Sequence, residues 1–469
     1  MPDFVFYEKC TTLFLFLSPR CEHYELHNRQ APPMTQNTLK TRPKTPLSPA
    51  SPTTASGVAP LVALRALCVL CLLALPLLSG APAQAAPAAP SGSASRAPSG
   101  DSLQKPSPVP GYSLGRLRSL YDQVHKTGLG FDAIQALSAP QFVTVSDASL
   151  SMEDDEIVFI VTFPEGLTRI YPQRIMVWHE VINDALPDNQ TSHNTAYTGK
   201  EKADGRYTIT YSPLSGTVVA FRSLAGQFPS TFGVTGDLIN ANSILYDRIS
   251  QSLWSQLLAA SFDGPLQGKR LERIPVLWAT WKGVKKRYMG RAEVLSRSTG
   301  FKRAYGSDPY GSYQRTGNYY DDTRMVAPLS SLDKRLHPKK RILGIEYEGA
   351  LGALVVDEVR KVKVLNFFMG ITPLVALYDE ELDAVRVFDR RIGAKRGEKP
   401  LEFLLFEGMF TDTESRSKWT AEGTGTYGKY RDTKLVPVFT IDSMWMSWSA
   451  FHKNTPIFPQ PDQPGQIRF

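Results

Sequence analysis

The chain has 469 residues, of which 42% are hydrophobic and 21% charged, and its formal net charge is +8. These proportions exclude general disorder and leave room for two or three average domains with a real core. The charge is mild, and the basic clusters at residues 282–287 (KGVKKR) and 334–341 (KRLHPKKR) sit in no nucleic-acid module. They could touch phosphates or an anionic membrane surface, but they read as solvated faces, so no nucleic-acid partner is expected.

The first hundred residues have their own composition. A polar, Pro-rich lead with Lys40, Arg42, Lys44 and Arg65 precedes the apolar run ALCVLCLLALPLL at residues 66–78. That run is short for a membrane span, which takes about 20 residues, and it suits the core of a signal peptide. Ala83, Gln84 and Ala85 then form an A-x-A cleavage site, with the cut expected before Ala86. An uncleaved N-terminal anchor is the alternative, and Met34 is an alternative start. The sequence thus predicts a leader over 1–85, a disordered Ala/Pro/Ser tether over 86–110 and a periplasmic or otherwise exported chain without a further membrane span. All four cysteines, Cys10, Cys21, Cys68 and Cys71, fall in the leader. The mature chain therefore has no disulfide, and a soft-metal thiolate site is not expected.

The remainder contains two similar series. DRISQSLW and DTESRSKW match, aligning Asp247, Ser250, Ser252 and Trp254 with Asp412, Ser415, Ser417 and Trp419. Each is followed by a Leu and a Pro and then a Trp-x-x-Trp pair, Trp278 with Trp281 and Trp445 with Trp448. Upstream, the strand-like run from Ile157 to Phe163 matches Ile342 to Tyr347. A polar loop between Asp184 and Tyr207 is extra in the first copy. The pattern predicts an α+β fold, mostly antiparallel β: two related repeats, 111–297 and 341–469, packed together with a few short helices. The ligand cleft is expected between the copies. Residues 298–340, rich in Tyr, Gly and Asp, connect them, and there Asp308, Tyr310 and Tyr313 are candidate ligand contacts, with Tyr211 and Asp247 outside the segment.

The motifs WHEVINDA, YSPLSGTVVAF, GDLINANSILYDRISQSLW, STGF and DPYGSY, in that order, resemble the bacterial domain-of-unknown-function family 3179 over residues 139–458. The resemblance implies an exported or lipid-anchored protein and carries no activity with it. The family pattern implies Tyr-Cys-Pro-Leu-Cys-Gly-Thr where this chain has Ser212 and Ser215. Serine preserves such a turn and loses the thiolate ligands, because a hydroxyl stays protonated near neutral pH.

The candidate chemistry gathers in the first copy. A helix-like stretch over 174–184 places Ile175, Trp178, His179 and Ile182 on one face, with Glu180 and Asp184 one turn apart. The second copy offers Val362, Lys363 and Phe367 at the positions of His179, Glu180 and Asp184, which marks the His179 position as one built for an apolar side chain. Buried packing is one reading of that histidine. The other makes it a base for Ser212 or Ser215, oriented by Asp184 or Asp247. Glu180 and Asp184 could work as an acid/base pair. His179, Glu180 and Asp184 could bind a hard metal if His337 or Asp308 joined them. Of these, the favoured reading is an exported ligand-binding protein. A hydrolase or metal-binding protein is the alternative, and the partner expected is a small molecule or an envelope component.

Overall fold

The computed structural model describes residues 109–163, 166–187 and 205–459, all within one compact unit, Ala97–Phe469. The expected leader, nearly all of the expected tether and most of the polar loop between Asp184 and Tyr207 lie outside the described residues.

Strand Ile157–Thr162 (IVFIVT) is apolar up to its last residue, and a run of that kind needs cover on both faces. It receives it. Phe159 and Val161 enter one core, which also holds Ile175, Tyr207 and Tyr211, while Val158 and Ile160 enter another with Trp281 and Val284. The strand lies between Leu277–Thr280 and Thr168–Pro172, antiparallel to both. Glu293–Leu295 then runs parallel to Thr168–Pro172. A second sheet takes Val181–Ala185, Arg206–Ser212, Thr217–Arg222 and Arg273–Ile274 in that order. A third takes Phe232–Ile239, Asn242–Asp247, Leu253–Ser255 and Ala260–Asp263.

The second half contains three corresponding sheets in the same strand order, without the edge strands Leu137–Ser138 and Phe142–Thr144 that the first half adds. Thr440–Met444, Arg341–Tyr347, Ala350–Val355 and Ile457–Phe458 form the first, with the last pair again parallel. Val364–Met369, Thr372–Asp379, Ala384–Asp389 and Val436–Pro437 form the second, and Phe403–Phe406, Met409–Asp412, Lys418–Trp419 and Gly425–Tyr427 the third. Even the irregularities coincide, since the pairing slips beside Trp254 in one half and beside Trp419 in the other. Asp247 accepts from the Ser250 amide, the Ser250 hydroxyl and the Trp254 indole, and Asp412 does the same with Ser415 and Trp419. The class is thus the expected α+β fold of antiparallel strands with few short helices.

Two local expectations are corrected. The stretch 174–184 is not one helix: Gln173–His179 is helical, Glu180 turns the chain in the left-handed region at φ 56°, and Val181–Ala185 is a strand. The β-branched run after Glu180 favours the strand over a continued helix. The tryptophan pairs are also not equivalent. Trp281 and Trp445 each open a helix, Trp281–Arg287 and Trp445–Phe451, whereas Trp278 lies in the preceding strand and Trp448 one turn into its helix. All four are buried, which makes them core rather than a stacking platform.

The halves share a core in which Phe221 and Trp254 meet Trp445 and Trp448. Glu346 of the second half is buried against Arg270 and Arg273 of the first. The basic clusters are drawn into this architecture. Arg287 pairs with Asp379, Glu381 and Glu422 across the halves, and Lys340 and Arg341 pair with Asp357 and Asp442. Among the described residues no helix is long and apolar enough to cross a membrane.

Candidate functional site

The stretch YSPLSGT is a tight turn between Arg206–Ser212 and Thr217–Arg222, closed by the Ser215 amide on the Ser212 carbonyl at 3.2 Å. Gly216, at φ 58°, supplies the left-handed residue that such a reversal requires. Both serines are fully buried. Ser212 Oγ accepts from the Ser243 amide at 3.1 Å and faces the Ser243 hydroxyl at 3.0 Å. Ser215 Oγ accepts from Asn242 Nδ2 at 3.0 Å and donates to the Ser212 carbonyl. The same turn anchors its surroundings. The Ser215 carbonyl takes the Met444 amide, and the Leu214 carbonyl takes the Tyr319 hydroxyl at 2.6 Å. The hydroxyls therefore hold a junction together, and neither is presented to a cavity as a nucleophile.

His179 points elsewhere. Its Nδ1 lies 2.8 Å from the Gln135 carbonyl, which can only accept, so Nδ1 carries the proton and Nε2 accepts from the Tyr305 hydroxyl at 2.6 Å. Both ring nitrogens are engaged, and burial lowers the pKa below that of an ordinary histidine. Asp184, on the strand rather than one helical turn from Glu180, is buried in an ion pair with Arg169 at 2.6 Å and accepts from the hydroxyls of Tyr171 and Tyr207. In the second half Leu354, Phe367 and Leu374 occupy the places of Tyr171, Asp184 and Tyr207 as plain apolar core. The triad of Ser212 or Ser215 with His179 and Asp184 or Asp247 is thus not assembled, and Glu180 and Asp184 do not share a face. Nor is the metal set assembled: among the described residues no group of three or more His, Cys, Asp or Glu could hold an ion. His337 Nδ1 accepts from the Lys339 amide in a separate turn.

Glu180 is buried as well. Only 7% exposed, it accepts the Ser243 hydroxyl at Oε2 over 2.7 Å. Burial pushes its carboxyl up to about 7, with the Ser243 hydrogen bond opposing. The Ser243 hydroxyl has one proton and two acceptors in reach, Glu180 and Ser212, so its direction follows the charge on Glu180. The carboxyl lines a cavity of about 70 Å³ with Ser243, Leu214 and Tyr310.

On the other side of the turn Asp308–Pro309–Tyr310–Gly311 lies a larger cleft of about 480 Å³. Gln173 and Arg174 of the helix form one wall, and residues 306–318 form the other. Asp308 accepts from Gln173 Nε2 and the Tyr320 hydroxyl, each at 2.7 Å, and burial raises its pKa. Tyr313 stacks on Tyr320 at 3.8 Å between ring centroids and meets the Tyr211 hydroxyl at 2.9 Å. Sequence reasoning placed the cleft between the copies. Both cavities are instead lined by residues 127–318, because the connecting segment folds over the first half while the interface between halves is filled with aliphatic and aromatic side chains.

A family model described as "Protein of unknown function (DUF3179)" matches residues 131–455. The chain belongs to that family. The DUF3179 match takes in both halves, the connecting segment and every residue of the two cavities except Thr127 and Leu129. No curated protein and no solved structure matches the chain.

Of the candidates, Asp308, Tyr313 and Tyr211 meet around the larger cleft, Glu180 and Tyr310 around the smaller, and Asp247 stands apart in its turn. Ser243, Gln173 and Asn242 were missed. Nothing in NANSILYD marks Ser243 as the partner of a buried glutamate 63 positions away, since the pairing is made only by sheet packing. Gln173 carried a readable signal as the first polar residue after Ile170, Tyr171 and Pro172.

Proposed function

We propose that this is an exported protein, derived by internal duplication of a three-sheet unit, that binds a small polyhydroxylated ligand in the cleft between helix Gln173–His179 and the connecting segment. The observation that carries the reading is the lining of that cleft. Its volume of about 480 Å³ suits a small-molecule site. Four carboxylates, Glu153, Asp155, Glu156 and Asp308, face two guanidinium groups, Arg174 and Arg315, one of which is already paired with Glu156. Such a surface is rich in acceptors and calls for a ligand that presents several hydroxyl donors. Asp308 is positioned by Gln173 and Tyr320, which fixes its rotamer before a ligand arrives.

The leader motif supports export, and the coincidence of strand order, pairing slips and aspartate turns supports duplication. The two halves then have different duties. The second keeps the apolar filling of the common plan, and the first carries the polar groups. An envelope component bearing such a ligand is the partner that fits an exported chain.

Saturation-transfer NMR on the chain beginning at Ala86, with a panel of polyols, sugars and amines, tests the reading. Transfer to hydroxylated ligands that falls away in Asp308→Asn supports it. Transfer to none of the panel at millimolar concentration, or transfer unchanged in Asp308→Asn, overturns it.

A further inference from the structure

We propose that the smaller cavity beside Glu180 is a second binding site, for a primary ammonium group on a short aliphatic stem. It does not depend on the ligand of the larger cleft. The cavity, about 70 Å³, has room for a charged head and one or two methylenes and little more. Leu129, Ile134, Leu214 and Val234 give it apolar walls, and Glu180 and Ser243 give it a polar floor. Thr127 at its edge is exposed, so the cavity communicates with solvent.

The carboxyl is the unusual element. A buried carboxylate is normally paired with a cation, but the lining contains no Lys, Arg or His. Glu180 Oε2 takes the Ser243 hydroxyl, and among the described residues Oε1 has no hydrogen bond. The other acid of the lining, Asp237, is already held by Lys126 at 2.7 Å and by the Thr127 amide. His179, adjacent in sequence, turns its ring to Gln135 and Tyr305. The second half provides a control. Lys363 occupies the same left-handed position, at φ 66°, and sends its ammonium out to Glu380 at 2.6 Å and over the Tyr378 ring. The backbone plan therefore does not demand an acid there, and the carboxyl of the first half is available for a ligand of opposite charge. An ammonium head supplies three donors, enough for both carboxylate oxygens and the Ser243 oxygen. The apolar walls accept the stem.

Because burial holds Glu180 protonated up to about pH 7, an ammonium must displace that proton below neutrality. Asp237, held by its partner Lys126, and Tyr310 are the other titratable groups at the cavity. Affinity should then rise roughly tenfold from pH 6 to pH 8, with close to one proton released per ligand at pH 6.

Isothermal titration of the chain beginning at Ala86 with methylammonium and ethylammonium, in two buffers of different ionisation enthalpy at pH 6 and pH 8, reads both quantities. The expected result is binding with that pH dependence, lost in Glu180→Gln, weakened several-fold in Ser243→Ala and unchanged in Asp308→Asn. The last variant separates this site from the larger cleft. No heat with the folded parent, equal affinity in Ser243→Ala and Glu180→Gln, or equal binding of potassium and tetramethylammonium would overturn the proposal.

Discussion

Replacing Glu180 with glutamine should change how stability depends on pH, and the structure gives the size and sign. Glu180 would titrate at 4.5 as an ordinary glutamate and titrates at about 7 in the fold, because burial penalises its charged form. Between those values the folded chain holds a proton that the unfolded chain has released. The stability tied to this group is therefore complete below pH 4.5 and is lost as pH rises through about 7. At about 1.4 kcal/mol per pH unit, the interval amounts to about 3 kcal/mol. Glutamine keeps the shape and does not titrate. Groups common to both chains, such as His179 and Asp308, cancel in the difference between them. Urea unfolding followed by tryptophan fluorescence, from pH 4.5 to 8, should show Glu180→Gln gaining about 3 kcal/mol on the parent over the range. Parallel stability curves for the two chains would refute the argument.

Four further outcomes follow from the same geometry. His179→Val should cost about 1–3 kcal/mol, since the Gln135 carbonyl and the Tyr305 hydroxyl both lose their ring partner, while ligand binding in the larger cleft stays unchanged in titration calorimetry. The variant should also lose less stability in acid than the parent: burial depresses the imidazole, so its contribution is present above 6.5 and falls away as pH drops through the folded value. Asp247→Ala and Asp412→Ala should both destabilise, by about 1.5–3 kcal/mol or more, because each aspartate accepts from a serine amide, a serine hydroxyl and an indole, with Asp412 taking the Ser417 amide besides. A loss in one variant and none in the other, read by urea unfolding, would count against a common plan. Glu346→Ala, which leaves Arg270 and Arg273 facing each other at the junction of the halves, should cost about 3–5 kcal/mol in the same assay.

Much of the fold was legible because its signals are local. The alternating and continuous apolar runs name the strands, and the aspartate turns before Trp254 and Trp419 mark matching places in the two halves. What misled was the short helix. Ile175, Trp178, His179 and Ile182 fit a helical stripe, yet the chain leaves the helix at Glu180 and enters a strand, so a shared face between Glu180 and Asp184 never forms. The tryptophan spacing misled in the same way, since identical spacing spans a strand and a helix in one half and a helix alone in the other.

The site was legible only in part. Comparing the halves singled out His179, Glu180, Asp184, Ser212 and Ser215 as polar exceptions, but it could not say that they serve three separate environments. Asp184 belongs to an Arg169 and tyrosine cluster, His179 to the Gln135 and Tyr305 contacts, and Glu180 to a cavity with Ser243. Each grouping depends on which strands lie side by side, and residues such as Ser243 and Gln173 gain their roles from partners 63 and 135 positions away.

The most direct test of the central claim is calorimetric titration of the chain beginning at Ala86 with the best hydroxylated ligand, for the parent and for Asp308→Asn. The account predicts a single site whose affinity drops at least tenfold in the variant while its melting temperature holds. Equal affinities in the two chains would contradict it.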